Sequence, residues 1–192
     1  GLVALKQAPK VGLSGEQSRR CAELLSRLEA PQAAMQESAD AAMRCLTAEQ
    51  VSWVRANRGN VELDSQEVLE PGMDPVTSAA FRLLQGKAAQ ASGAAQPIQH
   101  EERDLQLHDL LNGLIKLEGQ GGSLVASPEQ ARALLPILTR ANEARKAEIK
   151  VFEELFKVLT QEQVTWIQAN PERSRMDVNR VILRYGQMIL RD

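Results

Sequence analysis

The sequence predicts an all-α protein made of two tandem, pseudo-equivalent helical units with long helices. Three observations carry that expectation. The 192 residues include 25 Ala, 25 Leu and 17 Gln, against only six aromatic side chains, a composition that favours helices over strands. Ser14 to Asn57 lies over Ser127 to Asn170 without a gap at an offset of 113 residues, with 15 of 44 positions identical. Ser14-x-x-Gln17, Thr47-x-x-Gln50, Ser127-x-x-Gln130 and Thr160-x-x-Gln163 each fit a capping box, in which a hydroxyl and a Gln amide reciprocally bond the backbone N–H groups of a helix start. The spacing therefore predicts a first unit over 1–90, a linker over 91–97 and a second unit over 98–192.

In chain order, Gly1-Leu2-Val3-Ala4-Leu5-Lys6 lies over Gly113-Leu114-Ile115-Lys116-Leu117-Glu118 once one gap is allowed. That match sets residue 1 inside the first unit, near the end of a helix. A long helix opening at the Ser14 box is interrupted by Pro31, whose ring removes a donor and crowds the preceding turn. Thr47 starts a short helix, a polar loop spans Arg58 to Gly72, and Asp74-Pro75 caps a helix to Gln90 that buries Val76, Ala80, Phe81 and Leu84. Ala91-Ser-Gly-Ala-Ala-Gln-Pro97, small and uncharged with two helix breakers, is the expected boundary.

The second unit is expected to open on a helix from about Gln99 to Glu118, with Leu107, Leu110, Leu111, Leu114 and Leu117 on one face, ended by Gly119-Gln-Gly-Gly122. Pro128 begins a helix read as one rod to Val158, about 46 Å at ~1.5 Å per residue, with a kink expected upstream of Pro136. Its middle, Asn142 to Glu148, is polar and free of breakers, and its two ends are apolar. A short helix Gln161 to Ala169 follows, closed by Asn170-Pro171. The last helix, Asp177 to Leu190, carries the apolar stripe Val178, Val181, Ile182, Tyr185, Met188 and Ile189.

Charge excludes some functions. Residues 1–97 hold 10 basic and 11 acidic side chains and residues 98–192 hold 13 and 14, so neither half has the basic field of a nucleic-acid binder. No apolar run approaches the roughly 18 residues of a membrane-spanning helix.

The candidate sites reduce to structural roles. Trp53 and Trp166, each six residues after the capping Thr, are read as plugs that dock a short helix onto a core. Cys21 and Cys45 face the apolar counterparts Leu134 and Val158, so both are expected as small buried hydrophobes. On one continuous helix they would lie about 36 Å apart and unbonded; a hairpin at Pro31 would bring them nearer, though staggered. His100, Asp104 and His108 share one helical stripe at i, i+4 and i+8, which offers transition-metal ligand chemistry. The two imidazoles, about 12 Å apart along the axis, are too distant to share an ion, and the stripe is read as a solvated flank. Glu101-Glu102 and Glu153-Glu154 are read as surface charge, and Gly119 to Gly122, with no lysine or preceding strand, as a linker turn. The reading assigns no catalytic residue, cofactor-binding residue, metal ligand or cofactor, and so no enzyme activity.

Leu46-Thr47-Ala48-Glu49-Gln50 and Leu159-Thr160-Gln161-Glu162-Gln163 resemble the LTxxQ-motif (Spy- and CpxP-like) family of small helical envelope proteins. Gly113-Leu-Ile-Lys-Leu-Glu-Gly119, Ala126-Ser-Pro-Glu-Gln-Ala-Arg-Ala-Leu-Leu-Pro-Ile-Leu138 and the second motif are also similar to a group of uncharacterised bacterial secreted or lipid-anchored helical proteins. The resemblance implies a non-catalytic protein-binding module of the bacterial envelope, chaperone-like or a structural or regulatory subunit. It implies a protein partner, a periplasmic or envelope location, and a signal peptide or lipid anchor upstream of Gly1. The alternative it implies is a metal- or stress-responsive periplasmic sensor.

Overall fold

The computed structural model describes residues 11–59, 73–100 and 105–169. The fold is all-α, with no strand among the described residues. In order, α1 spans Gly15–Ser26, α2 Glu29–Arg44, α3 Ala48–Ala56, α4 Pro75–Ala88 and α5 Leu107–Gln120. A 3-10 turn, Gly122–Leu124, leads to α6, Pro128–Val158, and α7, Gln161–Ala169. The expected polar loop falls outside the described residues from position 60 onward, and the expected Asp177 to Leu190 helix falls outside them entirely.

Local chemistry explains where these helices start and stop. All four hydroxyl–Gln boxes form, each with the hydroxyl accepting the Gln N–H at 3.1–3.3 Å and the Gln amide oxygen accepting the cap N–H at 2.8–2.9 Å. Asp74 caps α4 by accepting the Thr77 N–H at 3.1 Å, ahead of Pro75 in the first turn. Pro31 ends the regular ladder four residues before itself. With no Pro31 N–H to reach the Arg27 carbonyl, the chain tightens at Arg27 and Leu28 into i−3 bonds of 3.1 and 3.0 Å, and α2 starts anew at Glu29. Pro136 does not have that effect: α6 runs unbroken through it for 31 residues, as the rod expectation required. Gly121 and Gly122, at φ 69° and 75°, turn the chain between α5 and α6 where an L side chain would be strained.

One expected helix is shorter than the sequence suggests. Gln99 and His100 are not helical, and α5 begins only at Leu107, with the Asp109 carboxylate accepting the Gln106 N–H at 3.2 Å. The physical reason lies in two bonds made before the helix starts: the Ile98 N–H donates to the Arg44 carbonyl at 2.7 Å and the His100 ring lies 3.0 Å from the Leu46 carbonyl. These hold the segment out of the helix, against the end of α2.

The contacts divide the chain into two compact units that do not coincide with the sequence repeats. One comprises 1–31 and 147–192, the other 32–146. Each takes part of a long helix from one repeat and part from the other, so the expected borders at 90 and 98 do not delimit packing. The reason is length: α6 is too long to bury both apolar ends in one core, so its start and its finish serve different ones.

In the first unit, Cys21, Leu24 and Leu28 pack with Val151, Phe152, Leu155, Phe156 and Ile167, and Trp166 lies half-buried against them. Arg27 and Glu154 form an ion pair beside this core. In the second unit, Met43, Leu46, Val51 and Val54 pack with Leu84, Leu110, Leu114, Leu117, Leu134 and Leu138, and Trp53 lies half-buried at the edge. Burying each such Leu contributes about 1.5–3 kcal/mol of transfer free energy. The predicted apolar faces of α4 and α5 meet here. At Gly113, α5 comes so close to α3 that a Cβ would overlap the Val54 methyls.

Candidate functional site

The chemically most organised feature is a pair of Gln side chains in each unit. In the first, Gln17 Nε2 donates to Gln163 Oε1 at 3.0 Å and Gln163 Nε2 donates to Gln17 Oε1 at 3.2 Å. Gln17 also donates to the Val158 carbonyl at 2.9 Å, and Gln163 to the Gly12 and Val11 carbonyls at 3.2 and 3.3 Å. In the second unit, Gln130 Nε2 donates to Gln50 Oε1 at 2.9 Å and Gln50 Nε2 to Gln130 Oε1 at 3.3 Å. Gln130 also donates to the Cys45 carbonyl at 2.8 Å, and Gln50 to the Leu124 carbonyl at 3.0 Å. Every partner in one set has its counterpart in the other at the 113-residue offset: 17 with 130, 163 with 50, 158 with 45, 11 with 124.

Each amide is saturated. Its oxygen accepts the cap N–H of its own helix and one N–H of the opposing Gln; its nitrogen gives one proton to the opposing oxygen and one to a backbone carbonyl. Gln50 and Gln163 are buried, at 1% and 4% exposure, so such complete pairing is what their burial demands. A capping box alone would accept Glu in place of Gln. Here Glu would supply no donor and would set a carboxylate against an amide oxygen. Sequence reasoning found the caps and missed the pairing, although Gln at all four positions was a visible signal.

The other candidates resolve one by one. Trp53 and Trp166 dock their short helices onto the two cores, as expected. Cys21 is buried and Cys45 half-buried, both as free thiols belonging to different units. Burial pushes both thiols above their ordinary pKa, which suits packing and disfavours the nucleophilic thiolate. The His100–Asp104–His108 stripe does not form. His100 precedes α5 in non-helical chain, Asp104 lies outside the described residues, and His108 sits in the first turn of α5. No group of three or more His, Cys, Asp or Glu side chains is arranged to hold a metal among the described residues.

Glu101 and Glu102 also fall outside those residues. Glu154, of the second acidic pair, has its carboxyl held below the usual range by the hydrogen bond from Arg27. Gly119 lies in the last turn of α5, and Gly121 and Gly122 form the turn that the sequence anticipated. No helix among the described residues is long and apolar enough to cross a membrane.

The segment expected to be a linker is instead tied down within the second unit. The Ser92 N–H and hydroxyl donate to the Glu129 carboxylate at 3.2 and 3.3 Å, and the Arg132 guanidinium donates to the Ala91 carbonyl. Backbone donors, its own and that of Ser92, hold the Glu129 carboxyl below its ordinary pKa. In the first unit, a groove at the start of α1 is lined by Ser14, Glu16, Gln17 and Arg20 with Glu154 and Lys157.

No family model, curated protein or solved structure matches this chain.

Proposed function

We propose that this chain is a non-catalytic helical protein-binding module of the bacterial envelope, chaperone-like or a structural or regulatory subunit, derived by tandem duplication of one helical unit. The observation that carries the reading is the doubled amide pair. Each Leu-Thr-x-x-Gln motif, the feature that resembles the envelope family, is joined to the Ser-x-x-Gln box of the other repeat, with corresponding partners throughout. Duplication accounts for that correspondence with one event. The motif Gln residues are consumed by caps and amide pairs, so they act as scaffold, and recognition falls to the surfaces around them.

The reading is supported too by chemistry that suits packing rather than turnover. Burial raises the pKa of both thiols, the Glu154 and Glu129 carboxyls are held by Arg27 and by backbone donors, and the buried Gln50 and Gln163 amides are paired with Gln130 and Gln17. The test is a client assay. The purified protein is expected to reduce aggregation of a chemically denatured client at stoichiometric concentration, and to fractionate with the envelope in cells. A protein that neither lowers light scattering nor cross-links to any envelope protein would defeat the reading.

A further inference from the structure

We propose that the first compact unit docks a peptide of small, uncharged residues across the start of α1 and the end of α6, and that residues 91–100 display this binding mode within the second unit. The proposal rests on the protein-binding reading above and names the kind of partner it takes.

In the second unit, residues 91–100 form no helix or strand, are mostly exposed, and pass the start of α6 and the end of α2. They are held almost wholly through the peptide backbone. Glu129 accepts the Ser92 N–H at 3.2 Å, Arg132 donates to the Ala91 carbonyl and to that of Gly93 at 3.4 Å, and the Arg44 carbonyl accepts the Ile98 N–H at 2.7 Å. The Leu46 carbonyl meets the His100 ring at 3.0 Å. An acid for the N–H, a base for the carbonyl and two carbonyls at a helix end form a receptor that reads backbone, and the residues held at its Glu129 end are Ala91, Ser92 and Gly93.

The 113-residue offset converts Glu129, Arg132, Arg44 and Leu46 into Glu16, Arg19, Lys157 and Leu159. Both side chains that grip the segment are therefore kept, and the other two positions contribute only carbonyls. Glu16 and Arg19 are exposed and form no hydrogen bond or ion pair among the described residues. The α1 cap does not use them, because Ser14 and Gln17 complete it. Glu16 borders a groove that brings Ser14, Gln17, Arg20 and Lys157 together on α1 and α6, and Arg19 lies one turn further along α1. An acid in the first turn disfavours an anionic ligand there and favours a neutral donor, which is what a peptide N–H supplies.

A fluorescently labelled synthetic peptide of residues 90–100, titrated into the full chain by anisotropy, tests this. Saturable binding is expected, weakened about tenfold or more by Glu16→Ala combined with Arg19→Ala. Ser92→Pro in the peptide, which deletes the gripped N–H, is expected to weaken it similarly. Glu129→Ala with Arg132→Ala in the protein is expected to leave binding intact. Circular dichroism should show unchanged helix in both surface variants. Absent binding, binding indifferent to the Glu16 and Arg19 changes, or binding lost only with Glu129 and Arg132 would each overturn the proposal. If the peptide fails to bind while the protein still protects the denatured client, the groove falls and the protein-binding reading stands; if both fail, both fall.

Discussion

Gln50→Glu or Gln163→Glu keeps the size of the side chain and its capping oxygen but deletes both donors. The opposing amide oxygen and a backbone carbonyl then lose their partner, and a carboxylate is buried beside them. The expected cost is about 3 kcal/mol or more, because buried unsatisfied groups cost about 1–3 kcal/mol each and a charge adds to that. Burial and facing oxygens raise the introduced carboxyl's pKa in the folded state. A raised folded pKa contributes stability that is fully present below the unfolded value of about 4.3 and lost as pH rises through the folded value. Urea melts from pH 3.5 to 8 should therefore show each variant closest to wild type at the acid end; a pH-independent deficit would contradict the pairing.

Ser78 gives the opposite sign. Its hydroxyl is buried without a hydrogen-bond partner in α4, so Ser78→Ala removes an uncompensated polar atom and improves helix propensity. A stabilisation of about 0.5–1.5 kcal/mol is expected by thermal or urea unfolding. Glu154 tests the surface: its carboxyl titrates low because Arg27 hydrogen-bonds it. The resulting stability is present above the unfolded carboxylate pKa and lost as pH falls through the lower folded value. An NMR titration should place the Glu154 midpoint below the ordinary range, and Arg27→Ala should return it there.

At the scale of elements, the approach of α5 to α3 depends on one missing methyl. Gly113→Ala would gain about 1 kcal/mol of helix propensity in isolation. Overlap with the Val54 methyls opposes that gain, and forcing extra carbon into a packed contact costs typically 1–3 kcal/mol. The expected net is destabilisation of about 1 kcal/mol or more, and Gly113→Ala combined with Val54→Ala should be less than additive in urea melts. Element starts were legible in the sequence because caps are local: Thr47, Asp74, Ser127 and Thr160 fixed four helices to within a residue or two. The rod of α6 was legible for the same reason, since 31 residues lacked a breaker strong enough to stop it. The start of α5 was not. The Leu stripe extends a helical pattern only from Leu107 onward, and what keeps His100 out of the helix is a carbonyl at the end of α2, more than 50 residues away in the chain.

At the scale of the molecule, the compact units are interleaved along the chain, and this has a direct consequence for fragments. The fragment 32–146 retains Gln50 with Gln130 and the whole core around Leu46, Leu84, Leu114 and Leu134. It should unfold cooperatively as a monomer, followed by circular dichroism. The fragment 1–97, cut at the repeat boundary, separates Gln17 from Gln163 and Gln50 from Gln130, and should show no cooperative monomeric transition. A well-folded monomeric 1–97 would refute the interleaved arrangement. The sequence by itself determined the helical class, the capped starts, the long rod and the apolar faces, because each depends on neighbours within a turn or two. It also carried the amide chemistry in its choice of Gln, without revealing what that amide meets. The tertiary structure alone decided which repeat contributes to which core, that the linker is strapped down, and that the motif Gln residues pair across the repeats. Those outcomes depend on donors and acceptors brought together from 80 or 146 positions apart, and chain-local propensity contains no information at that range.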